Sequence, residues 1–124
     1  MIGTLLAASA NSFMTLICTP ADPGRARLPY VISFEYSRDR LRDVVVIWPN
    51  GSQSKRRWAG RFHGQKIELG SRNRSLEERI TLNLDETHSD EATMVNEYWV
   101  SGGHIPMSGD DTATCSVRTG RVGE

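Results

Sequence analysis

Two cysteines, three histidines and a group of clustered carboxylates are the residues of this chain with the widest chemical reach. Cys18, in TLICTP, and Cys115, in TATCSV, stand near opposite ends of the 124 residues. At that separation they make neither a C-x-x-C redox pair nor half of a zinc ribbon. In an oxidising compartment they are expected to pair with each other. That bond would close a loop of roughly 100 residues and contribute about 4.7 kcal/mol by the chain-entropy argument.

Other groupings give less. His63 and His88 could meet beside Asp85, Glu86, Asp90 and Glu91, and imidazole with carboxylate suits zinc. No established ligand spacing is present, and DETHSDE lacks the central glycine and carboxylate positions of an EF-hand. No metal and no cofactor is therefore expected. Ser108 in PMSGDD follows His104 by four residues, a thin basis for a hydrolase without a G-x-S-x-G elbow. With 15 acids to choose from, a glycosidase pair can always be picked, so the choice says nothing. No catalytic residue is assigned. The densest basic stretch is SKRRWAGRF, with Lys55, Arg56, Arg57 and Arg61 around Trp58. Arginine beside an aromatic ring can hold phosphate or stack on a base or sugar.

Composition narrows the classes. A hydrophobic share of 38% with 24% charged residues is that of a globular domain. Fifteen basic and fifteen acidic residues cancel, which speaks against a nucleic-acid binder. No apolar run approaches the ~18 residues that span a bilayer. The neutral total hides an asymmetry: residues 25–79 hold 13 basic and 6 acidic residues, and residues 80–124 hold 2 and 8. Pairing of the two parts within the fold is expected; the alternative is a surface with two faces of opposite sign. At the start, Ile2 to Ala8 is a short apolar run, and Ala8-Ser9-Ala10 has the form of a signal-peptidase site without a basic n-region. Residues 1–10 are read as an incomplete export signal, and residues 11–124 as one β domain. Ile17 before Cys18 does not fit a lipoprotein signal.

The elements that must position these groups are strands. Tyr30, Ile32, Phe34 and Tyr36 alternate with Val31, Ser33 and Glu35; Ile80, Leu82 and Leu84 alternate with Thr81 and Asn83. Met94, Tyr98 and Val100 share a parity that Asn96 interrupts, and Ala113, Cys115 and Val117 share another. Val44–Trp48 is continuously apolar and β-branched, and reads as a central strand. Asn50-Gly51 predicts a hairpin leading straight into KRRWAGRF, and His63-Gly64 predicts a tight turn. SRNRSLE, residues 71–77, reads as a polar break. With SFMTLIC at the start, the pattern predicts an all-β fold of about eight short antiparallel strands, an up-and-down barrel or a sandwich. In a closed meander the first and last strands are neighbours, and Cys18–Cys115 would secure that junction. The loops would then gather at two ends: residues 37–43, 63–64 and 85–91 at one, residues 49–54, 70–75 and 101–111 at the other.

This layout resembles that of small exported β-domains, including the periplasmic lysozyme inhibitors of the membrane-bound C-type class, which also pair an early cysteine with a late one. Their inhibitory loop runs serine–glycine and then tyrosine. YWVSGG places Tyr98 ahead of Ser101 and Gly102, so no site residue is carried over. The function expected is non-catalytic binding by a monomeric periplasmic or secreted protein that does not span the membrane. Its partner would be a protein or a cell-envelope component. A small-ligand carrier of lipocalin-like type is the alternative, and a small hydrolase a weaker one. The site is expected in the long glycine-rich loop, at Ser101, His104, Asp110 and Asp111, with Arg72 and Arg74 beside it.

Overall fold

The computed structural model describes residues 12–21, 28–72, 76–100 and 111–121. They form eight antiparallel strands: β1 Ser12–Pro20, β2 Tyr30–Ser37, β3 Arg40–Ile47, β4 Ala59–His63, β5 Lys66–Arg72, β6 Leu76–Leu84, β7 Glu91–Val100 and β8 Asp111–Arg121. Each strand pairs with the next in sequence, and β8 pairs back to β1, so the sheet closes as an up-and-down barrel. Of barrel and sandwich, the fold is the barrel. No helix among the described residues is long and apolar enough to cross a membrane.

Closure follows from the alternation. In a closed barrel every strand has one inner and one outer face. Leu16, Ile32, Val46, Ile67, Leu69, Ile80, Leu82 and Met94 all point inward and are completely buried. Burying each such side chain contributes about 1.5–3 kcal/mol. Together they fill the middle of the barrel. Cys18 and Cys115 are direct register partners on β1 and β8, both buried, and joined by a disulfide with sulfurs 2.07 Å apart. The predicted closure thus occurs on a seam of nine paired positions, Ser12↔Arg121 to Pro20↔Ala113. On the outside of that seam Phe13 lies opposite Gly120, where a Cβ would sit 2.6 Å from the ring. The glycine leaves room for the aromatic face.

Several expectations are corrected. Val44–Trp48 does supply a strand that lies between two others, β3, but it ends at Ile47 and only Val46 in it is fully covered, because a barrel strand turns every second residue outward. The β2–β3 register also shifts between Ser33 and Glu35, where Asp43 takes a positive φ of 54°. The turn at Asn50-Gly51 forms, with the Gly51 N–H donating to the Trp48 carbonyl at 2.8 Å. It does not lead directly into a strand. The chain runs on through an isolated Ile47–Gln53 bridge and a Ser54 N–H bond to the Val46 carbonyl, and β4 begins only at Ala59. β3 and β4 therefore share a single ladder position, Arg40↔Arg61. Gly60 allows this narrow seam to close: a Cβ there would lie 2.6 Å from both Leu41 Cδ1 and Leu69 Cδ2. The second tight turn is Gly64-Gln65, one residue later than predicted, with Gly64 at φ 63° and His63 still paired to Lys66. SRNRSLE is less of a break than expected, since Ser71 pairs with Glu78 and Arg72 with Glu77.

Candidate functional site

Alternating strand direction puts the connections 38–39, 64–65 and 85–90 at one end of the barrel. The described connection that follows β3, residues 48–58, lies at the other. Of the predicted site residues, Arg74, Ser101, His104 and Asp110 lie outside the described residues. Arg72 is exposed on β5 opposite Glu77. Asp111 opens β8 opposite Asn96, with β6 and β7 between it and Arg72.

No ion pair among the described residues joins the basic and acidic parts of the chain, although Arg79 and Glu97 are register partners across them. Among the described residues, the ion pairs Arg42–Glu35, Arg56–Glu78 and Lys66–Glu68 fall within the basic part. Those of His88 with Asp85 and Glu91 fall within the acidic part. The barrel instead carries charge in separate regions.

The basic region is built by cross-strand register. Outward residues of β4, β5 and β6 stand in rows: Ala59 beside Gly70 beside Arg79, and Arg61 beside Glu68. In the neighbouring row Arg72 stands beside Glu77, which stands beside Trp99 of β7. The two small residues leave a groove, and a Cβ on Gly70 would meet nothing within 4 Å. Arg57, Arg72 and Arg79 flank it on one side of Gly70, and Arg61 with His63 on the other. The Arg79 guanidinium carbon stands 5.1 Å from the centre of the Trp99 ring. Arg57, Arg61 and Arg72 have no ion pair among the described residues. Arginine forks of this kind match carboxylate, sulfate or phosphate oxygens two at a time.

No family model, no curated protein and no solved structure matches the chain.

The acidic region lies at the 85–90 connection. Asp85, His88 and Glu91 offer three ligand atoms within 4.8 Å of one another, and all three residues are exposed. His88 Nδ1 stands 3.6 Å from Asp85 Oδ1 and 3.7 Å from Glu91 Oε2. Asp85 Oδ1 already accepts from Thr87 N at 2.8 Å, Thr87 Oγ1 at 2.8 Å and His88 N at 3.1 Å. These bonds hold the Asp85 carboxyl below the usual aspartate range and build the loop. His63 does not join the trio; it sits on the β4–β5 hairpin with Nε2 3.9 Å from Glu68 Oε1.

The opposite end holds a polar layer that sequence reading missed. Glu78 and Asn96 point inward and are 8% and 6% exposed. Arg56, reaching in from the irregular segment before β4, places Nη1 3.8 Å from Glu78 Oε1. Ser54 Oγ fixes this segment by accepting from Arg56 N at 3.2 Å and from Trp58 Nε1 at 3.1 Å. Burial pushes the Glu78 carboxyl up, outweighing the downward pull of Arg56 and of a hydrogen bond from Asn96. The same alternation that buries Ile80 and Leu82 carries back to Glu78, and that parity was the available signal.

Proposed function

We propose that this protein is an exported, non-catalytic binding barrel whose arginine-lined outer groove holds an acidic polysaccharide of the cell envelope. The observation that carries the reading is the set of Arg57, Arg61 and Arg72, free of ion pairs among the described residues, around the open floor at Gly70. Guanidinium groups would pair with carboxylate or sulfate oxygens, and the small Ala59–Gly70 floor would admit a sugar ring beside Trp99. The Cys18–Cys115 disulfide supports export. The filled middle of the barrel supports binding at the surface over a lipocalin-like central cavity.

The test is retention on immobilised dextran sulfate against neutral dextran, with salt elution. Wild type is expected to bind only the sulfated matrix and to elute as salt rises. Arg61→Glu with Arg79→Glu should abolish retention while leaving the melting transition cooperative. A folded wild type that passes through the sulfated column at low salt overturns the reading.

A further inference from the structure

The polar layer of Arg56, Glu78 and Asn96 borders a recess at the same end of the barrel. Above Glu78 opens a recess of about 580 Å³, walled by Trp48, Leu76 and Tyr98 and rimmed by Gln53 and Lys55. That volume falls within the range of small-molecule sites. Its floor is unusual. Arg56 Nη1, beside Glu78 in the lining, is buried and has no hydrogen-bond partner, and behind the lining Asn96 Oδ1 is buried without one as well. A buried donor or acceptor left unsatisfied costs about 1–3 kcal/mol, so such atoms persist where something else completes them. Here one donor and one acceptor flank the same carboxylate, Glu78, which lies near Arg56 and takes a hydrogen bond from Asn96.

Charge limits what can enter. Arg56 and Glu78 balance on the floor and Lys55 stands exposed at the rim, so a charged group carried down to the floor would add an uncompensated buried charge. A neutral group that both accepts and donates is the complement, and a hydroxyl or amide on a flat ring does both. The walls favour a ring with apolar faces: Trp48 is held edge-on between Tyr30 and Trp58, at centroid distances of 6.1 and 6.0 Å. Trp58 is tied in turn to Ser54. The aromatic wall is therefore braced in place.

We infer that the recess at the β3–β4 end of the barrel binds a neutral saccharide, with Arg56 donating to and Glu78 accepting from its polar groups and Trp48 and Tyr98 flanking the ring. The lining of this recess shares only Glu78 with that of the outer arginine groove, so either can hold without the other.

Calorimetric titration of the intact protein with N-acetylglucosamine and with glucose tests it, with glycerol as control. Saturable binding of at least one sugar and none of glycerol is expected. Tyr98→Ala and Arg56→Met should weaken that binding at least tenfold. Gln53→Trp, at the exposed rim, should do the same without touching the core, so a folding defect in the first two leaves the test intact. Absence of saturable binding of both sugars to folded wild type overturns the inference. So does binding that Gln53→Trp leaves unchanged.

Discussion

Reducing the disulfide should lower stability by an amount that can be worked out in advance. Cys18 and Cys115 are 97 positions apart, so the bond holds nearly the whole described chain in one loop when the protein unfolds. For a loop near 100 residues the entropy removed from the unfolded chain is worth about 4.7 kcal/mol at 25 °C. Unfolding entropy of about 2.1 cal/mol/K per residue, summed over the chain, converts this to a fall in Tm of roughly 18 °C. The folded barrel should survive, because β1 and β8 keep nine paired positions and the buried Met14 and Leu16. A domain of this kind has only about 5–15 kcal/mol in total, so the reduced form would be marginal. The assay is scanning calorimetry of the oxidised protein and of the reduced, alkylated protein, with the Cys18→Ala/Cys115→Ala variant as a check. A fall of under about 4 °C, close to 1 kcal/mol at this size, would refute the loop-entropy argument. Two thiols open to alkylation before reduction would remove its premise.

Gly60→Ala should cost about 1–3 kcal/mol in denaturant unfolding, since the new Cβ would press on Leu41 and Leu69 at 2.6 Å. Gly70→Ala, placed in open space, should leave stability nearly unchanged while weakening retention on dextran sulfate, which separates a groove floor from a structural glycine. Glu78 has a raised folded pKa, so its stabilising contribution is full below the unfolded value near 4.5 and is lost as pH rises through the raised value. Glu78→Gln should flatten that decline in urea midpoints measured from acid to neutral pH; an equally steep decline in the variant would place its source elsewhere. Asp85 has a lowered folded pKa, so its contribution is present above 3.8 and lost as pH falls through the folded value. Asp85→Asn should therefore reduce the acid sensitivity of the melting temperature.

Much of the fold was legible because one face of each strand is apolar. Ile80, Leu82 and Leu84 stood out by alternation, and the two lone cysteines predicted the junction they occupy on β1 and β8. Val44–Trp48 signalled a strand but not which residues face inward, because β-branched residues sit comfortably on the outside of a barrel as well. The segment from Trp48 to Trp58 was misread because a good turn at Asn50-Gly51 specifies the turn and not the strand after it. The outer groove depends on which residues share a row across β4, β5, β6 and β7. Gly70, Arg79 and Trp99 lie far apart in sequence, and only register brings them together. Glu78 and Asn96 were readable by parity, but their polarity argued for an exposed position or a break.

The single ladder position between β3 and β4 bears on how the protein would fail. A hoop with a welded join gives at its thinnest point, and here the weld is the β1–β8 junction. Partial opening should begin between β3 and β4, and amides of that seam should exchange with solvent before those of β1 and β8. Beyond that position the edge of Val44, Val45, Val46 and Ile47 is covered, among the described residues, only by the Gln53 bridge and the Ser54 N–H, and once these part it is a run with strong tendency to add strands from other molecules. Arg42 and the kinked Asp43 stand directly before it, two charged residues at the entrance to this adhesive stretch. Neutralising both should shorten storage life well before it lowers the melting temperature.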